Sequence, residues 1–236
     1  MPPAAHALCW RIAVGDIDAA AHALLFGLLS AGERVRAERF RAAADRLSFT
    51  AAHGTLRLLL AAMLGERPQS LAFAANAWGK PRLVPDRAIE FNMSHSGGIV
   101  LTALARHLPI GVDVEAMRPF AERADIVQRY FHPGEAADLA TVPPADAEAA
   151  FFRCWSRKEA VVKALGLGMS LDLHRYRVAC LPGARAEVLA LEAEAAPQQN
   201  WSLIDLDPGP GYVGALAARH RPLRVERAAF DAAALR

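Results

Sequence analysis

Two short stretches, Gly111-Val112-Asp113-Val114-Glu115 and Trp155-Ser156-Arg157-Lys158-Glu159-Ala160-Val161-Val162-Lys163, hold residues whose types and spacing could do chemistry jointly. On a strand, successive side chains point to opposite faces, so Asp113 and Glu115 share one face and Ile110, Val112 and Val114 the other. At roughly 3.3 Å per residue their Cα atoms lie about 6.6 Å apart, near enough for both carboxylates to reach one ion. Two carboxylates so close repel, and a divalent cation relieves the repulsion. Oxygen-only ligands favour Mg²⁺ or Mn²⁺ over zinc. On the second stretch Trp155, Glu159 and Lys163 stand four residues apart and share a helical face, with Lys158 beside it. Each stretch also has a plainer reading: a polar strand face, and a Glu159–Lys163 surface pair worth about 0.3–0.5 kcal/mol. Taken jointly, three acids and two lysines match the needs of a pyrophosphate-bearing substrate with Mg²⁺.

Lysine usage sharpens this. Of 27 basic residues only Lys80, Lys158 and Lys163 are lysine, so lysine stands where a compact point charge suits better than a planar fork. Two further clusters carry polar chemistry. Phe91-Asn92-Met93-Ser94-His95-Ser96-Gly97-Gly98 follows a short strand and could hold a phosphate through side chains and glycine-exposed amides. Trp78-Gly79-Lys80-Pro81-Arg82 is a turn with the third lysine. No Walker A loop, dinucleotide fingerprint or Gly-x-Ser-x-Gly elbow occurs.

The elements that must position these groups read as follows. Asp16 caps a helix to about Leu29, Glu33–Arg41 is helical in pattern, and Asp45 caps a helix ending at Gly65. Strands are expected at Ser70–Ala75, Ile89–Met93, Ile99–Ala105 and Ile110–Glu115, and helices from about Glu122 to Tyr130 and Asp146 to Leu165. Phe151, Cys154, Val161 and Leu165 form the inward stripe of the last helix. Further strands fall at Tyr176–Cys180, Glu187–Leu191, Trp201–Leu206 and Tyr212–Ala218, with loops at Leu181–Arg185 and Glu192–Asn200. Gly98–Asp113 also echoes Gly211–Glu226 without a gap, at an offset of 211 − 98 = 113 residues. A duplicated α+β unit with a pseudo-twofold axis is one reading; abundant Ala and Arg matching by chance is the other. The duplication divides the chain into residues 1–109 and 110–236, the second carrying most of the metal site. Only the first copy keeps paired acids, which puts a single site near the junction.

Bulk properties narrow the class. At 53% hydrophobic and 22% charged the chain belongs with ordinary globular proteins. A formal net charge of +2 is too small to imply nucleic acid, and no run of about eighteen apolar residues suggests a membrane span. Three widely spaced cysteines suit a reducing cytoplasm and argue against a disulfide framework or zinc cage.

In this order the motifs Gly79–Pro81, Phe91–Ser96, Gly111–Glu115 and Trp155–Lys163, with weaker echoes at Glu33–Phe40 and Arg129–Phe131, resemble the 4′-phosphopantetheinyl transferases of the Sfp type. The resemblance implies an α+β fold of two similar halves embracing coenzyme A. It implies transfer of the phosphopantetheine arm to a serine of an apo acyl carrier protein or peptidyl carrier domain, with release of 3′,5′-ADP. By the same resemblance Asp113, Glu115 and Glu159 bind Mg²⁺, Glu115 being the least secure ligand, and Lys163 contacts the pyrophosphate with Lys158 alongside. Ser94 and His95 hold the 3′-phosphate region, Lys80 and Pro81 lie against the adenine end, and Arg36 is a further phosphate contact. The base is Glu159, with Asp113 the alternative. Arg118, Arg123, Phe120, Tyr130 and Phe131 offer a basic and apolar docking surface for an acidic carrier. The echo lets a monomer form the whole site. A Mg²⁺-dependent pyrophosphate hydrolase and a non-enzymatic coenzyme A or carrier-binding module remain the rival classes.

Overall fold

The computed structural model describes residues 5–191 and 200–235, so most of the loop expected over Glu192–Asn200 falls outside the described residues. In chain order they form β1 (Ala5–Ala13), α1 (Ala19–Leu28), α2 (Ala31–Glu38), α3 (Ala43–Leu64), β2 (Ala72–Ala75), β3 (Pro81–Val84), β4 (Ile89–Ser96), β5 (Ile99–Arg106), β6 (Ile110–Ala116), α4 (Arg123–Tyr130), α5 (Pro133–Ala140), α6 (Ala147–Leu165), β7 (Tyr176–Val178), β8 (Val188–Leu191), β9 (Ser202–Leu206), β10 (Tyr212–Ala218) and β11 (Leu223–Ala229).

Several helix ends follow capping chemistry, but α3 starts after Ala42 with no side-chain cap, and the expected cap Asp45 lies inside its first turn. Asp18, two residues beyond the expected Asp16, caps α1 by accepting from the Ala21 amide at 2.8 Å. Ser30 and Glu33 close a capping box on α2. Helices α3 and α6 each end on a left-handed glycine, Gly65 and Gly166, as their glycines foretold. Helix α3 is long and apolar enough to cross a membrane, but most of it is buried against the rest of the chain.

Two sheets carry the fold, ordered β11-β1-β5-β4 and β6-β10-β9. All their pairings are antiparallel except β1 with β11. The sheets meet where β4 runs beside β6, joined by side chains. Asn92 Oδ1 accepts from the Val112 amide at 2.9 Å and Ser96 Oγ from the Ala116 amide at 3.0 Å.

The internal echo is realised as a structural repeat. Strands β10 and β5 start 212 − 99 = 113 residues apart, and β11 and β6 start 223 − 110 = 113 apart. In both copies the chain leaves one sheet for the other: β6 passes from the side of β5 to β10, and β11 from the side of β10 to β1. The fold is therefore α+β with two similar halves. A boundary at 109/110 leaves β11 on the first half's sheet.

Packing of α6 on β6 positions the acids. A Cβ at Gly111 would stand 2.1 Å from the Ala160 carbonyl oxygen and 2.3 Å from the Ala164 nitrogen, so only glycine permits this approach. Gly111, Asp113 and Glu115 share one face by alternation. The contact that needs a bare Gly111 thus sets both carboxylates along α6.

Candidate active site

Asp113 is the hub. It is 2% exposed, and its Oδ1 accepts from Ser94 Oγ at 2.9 Å and from Lys163 Nζ at 2.7 Å. Lys163 also donates to Ser94 Oγ at 2.9 Å, closing a three-membered network between β4, β6 and α6. Asp113 Oδ2 is buried without a hydrogen-bond partner. A buried carboxylate oxygen left bare is costly unless something further binds it.

Glu115 and Glu159 complete the acid set. Burial pushes the Glu115 carboxyl up, the charge of Asp113 adds to this, and the Ser96 hydrogen bond at 3.1 Å, Lys163 and Arg118 oppose it. Burial likewise pushes Glu159 up, with Asp113 adding and Lys163 opposing. Both carboxylates thus feel Asp113 and Lys163, which gathers the three acids and one lysine from two distant stretches. All-oxygen donors, mutual repulsion and one orphaned oxygen fit a hard divalent cation. Glu135, Cys154 and Cys180 also bring ligand atoms within 4.8 Å of one another. That group does not suit a metal: burial holds the Cys154 thiol well above its usual range, and Lys158 already neutralises Glu135.

A hollow of about 780 Å³ opens beside Glu159 and Lys163. Its apolar walls include Trp78, Tyr130, Trp155, Leu171 and Leu173, and Lys80, Pro81 and Asn92 also line it. Asn76 binds the turn to α6, its Oδ1 accepting from the Lys80 amide and its Nδ2 donating to the Gly166 carbonyl, both at 2.9 Å. Lys80 Nζ donates to the carbonyls of Ile110 (3.1 Å) and Ala164 (3.3 Å), and burial lowers its pKa.

Lys158 requires correction. It is wholly buried, and its ammonium donates to both oxygens of Glu135 (2.7 and 3.0 Å) and to the carbonyls of Leu173 and Tyr176 (both 2.9 Å). The Tyr176 ring lies 4.0 Å from the same nitrogen. A cation so engaged has no proton left for a phosphate, so Lys158 locks α6 to α5 instead of flanking the pyrophosphate. The expected carrier surface is also altered. Phe131 is buried, stacked on Phe151, and Phe120 packs against the same core, which leaves Tyr130, Arg118 and Arg123 at the surface.

Ser94 lies inside the acid network, while His95, the next residue of β4, points to the other face. Burial and the charges of Lys163 and His53 lower the His95 pKa, against a smaller pull from Asp45. Arg36 is exposed on α2, its guanidinium carbon 5.3 Å from the Phe49 ring centroid and outside the hollow's lining. The sequence placed Asn92 and Ser96 only in a cluster that could hold a phosphate, whereas both instead join β4 to β6. Both were legible as the Asn-x-Ser-x-Ser alternation that sets three polar side chains of β4 opposite the acids of β6.

Comparison with known proteins agrees with this site. The family model described as the 4′-phosphopantetheinyl transferase superfamily matches residues 109–217. The 4′-phosphopantetheinyl transferase HetI of Nostoc is 34% identical over 212 residues, covering 88% of this chain and 85% of HetI. The 4′-phosphopantetheinyl transferase psf-1 of Bacillus pumilus is 31% identical over 189 residues, covering 79% and 77% respectively. The 4′-phosphopantetheinyl transferase Sfp of Bacillus subtilis is 30% identical over 151 residues, covering 64% of each chain. The chain belongs to the 4′-phosphopantetheinyl transferase superfamily. Its activity is the transfer that gives the family its name, with coenzyme A as donor and a carrier protein as acceptor.

Proposed function

We propose that this transfer takes place at the acids of β6 and α6, with a divalent cation and an apo acyl carrier protein or peptidyl carrier domain as acceptor. The observation that carries the reading is Asp113, buried, with one oxygen held by Ser94 and Lys163 and the other bare, its charge felt by the Glu115 and Glu159 carboxyls. Mg²⁺, or Mn²⁺, held by Asp113, Glu115 and Glu159 would neutralise pyrophosphate charge and stabilise the departing 3′,5′-ADP. Lys163 contacts the same phosphates. Glu159, whose carboxyl burial pushes up, takes the proton of the attacking serine hydroxyl, and Asp113 is the alternative base. As the serine oxygen bonds to the phosphorus of the arm, the bond to ADP breaks.

Lys80 and Pro81 lie toward the adenine, and Ser94, His95 and Arg36 toward the 3′-phosphate. A hollow of this volume falls within the range of small-molecule sites, roughly 300–1,000 Å³. Three buried free cysteines suit the cytoplasm, and the paired halves suit a monomer. Intact-mass measurement of an apo carrier with coenzyme A and Mg²⁺ tests the reading. The carrier gains one phosphopantetheine, and 3′,5′-ADP is released only when carrier is present. Release without carrier would mark a hydrolase instead.

A further inference from the structure

We propose that Ser96 is a positioning residue of the metal site: it holds one oxygen of Glu115 and leaves the other for the divalent cation. This rests on the reading of Asp113, Glu115 and Glu159 as the ligands of that ion. Ser96 closes β4, and a serine hydroxyl has one proton to donate and two lone pairs to accept with. The Ala116 amide donates to Ser96 Oγ at 3.0 Å, which fixes the side chain against the end of β6. The single proton then goes to Glu115 Oε2, 3.1 Å away. Glu115 Oε1 is the oxygen left for an ion.

The same device acts one step back along both strands. Ser94 Oγ donates to Asp113 Oδ1 at 2.9 Å, and Asp113 Oδ2 stays bare. Ser94 and Ser96 are two residues apart on β4, as Asp113 and Glu115 are on β6, so the serines line up with the acids. Each serine takes one oxygen of one carboxylate. The two acids are otherwise held unequally. Asp113 is buried, has the shorter side chain and gains a second donor in Lys163 at 2.7 Å. Glu115 is half-buried and longer, and Ser96 is the one hydrogen-bond donor that the described residues give its carboxylate. Partners behind a ligand orient it, and losing one loosens the metal.

Ser96 is itself held. In the turn that follows, Gly97 has φ +56°, and a Cβ there would stand 2.7 Å from the Tyr212 hydroxyl and 3.2 Å from Ala116 Cβ. The Gly98 amide donates to Tyr212 Oη at 3.0 Å. Tyr212 pairs with Ala116 across β10 and β6, so one side chain ties the turn after the serines to the residue after the acids. The Ser96 hydroxyl has little freedom to turn away from Glu115.

The test measures the Mn²⁺ dissociation constant by electron paramagnetic resonance, with coenzyme A present. It compares wild type, Ser96→Ala, Ser96→Thr, Glu115→Ala and the double variant Ser96→Ala/Glu115→Ala. Loss of the orienting hydroxyl should weaken Mn²⁺ about tenfold in Ser96→Ala, and Ser96→Thr, which keeps the hydroxyl, should restore most of it. In the Glu115→Ala background Ser96→Ala should change the constant little, because Ser96 acts through that carboxylate. Wild-type affinity in Ser96→Ala overturns the proposal, and so does an equal loss in both backgrounds, the mark of a merely structural serine. A wild type that binds no Mn²⁺ would sink the reading of the three acids as a metal site, and this proposal with it.

Discussion

Replacing Lys158 by Met separates a structural lysine from a phosphate-binding one. The Nζ sits in a fully buried cage with four acceptors, two of them the oxygens of Glu135, itself fully buried. Removing the ammonium leaves a buried carboxylate held only by the Val178 amide (2.7 Å) and the His132 amide (3.0 Å). Breaking one partner of a buried ion pair costs about 3–5 kcal/mol. At about 2–4 °C per kcal/mol for a chain of this size, the expected fall in Tm is roughly 6–20 °C. Burial already pushes the Glu135 carboxyl up, so protonation of Glu135 would hold the loss toward the lower end. Lys158→Met/Glu135→Leu removes both charges and should recover much of the Tm. Calorimetry gives the Tm, and initial rates against coenzyme A, scaled to folded protein, give KM. A Lys158→Met protein with wild-type Tm and a raised KM would refute the structural assignment and return Lys158 to the phosphates.

Two further outcomes follow from the same contacts. Gly111→Ala drives a Cβ into the backbone of α6 near Ala160 and Ala164, which costs about 1–3 kcal/mol or more and moves Glu159 and Lys163; lowered Tm with lowered initial transfer rate is expected. Burial alone would raise the Glu33 pKa, but hydrogen bonds from His53 and Ser30 and the charge of Arg57 bring it down from 4.5 to about 2. A depressed carboxyl stabilises the fold above its unfolded pKa, and that contribution is lost as pH falls from about 4.5 through 2. Denaturant unfolding across that window should therefore be flatter for Glu33→Gln than for wild type.

Much of the site was legible because its chemistry lies in short motifs whose periodicity fixes direction. Alternation placed Asp113 and Glu115 on one face, and four-residue spacing aligned Glu159 with Lys163. The same spacing also held the warning about Lys158. It is four residues after Cys154 and three before Val161, both on the inward stripe, so it had to be buried and needed an acid. That acid, Glu135, sits on α5, whose His132-Pro133-Gly134-Glu135 start is a capping box and a Pro-initiated helix that propensity alone passed over. No element is expected at Ala5–Ala13 from the local pattern; β1 forms there by pairing with β5 and β11, partners far along the chain. Strand β11 was implied by its echo of β6, yet its exchange onto β1 depends on contacts between the chain's two ends, which no local pattern encodes.

The central claim is that Asp113 and Glu159 hold one divalent ion with the pyrophosphate of coenzyme A. Electron paramagnetic resonance of Mn²⁺ titrated into the protein with coenzyme A tests this directly, comparing wild type with folded Asp113→Asn and Glu159→Gln. Wild type should bind the ion, and each variant should lose it and transfer about 10²–10³ more slowly. Mn²⁺ bound as tightly by both variants as by wild type would contradict the account.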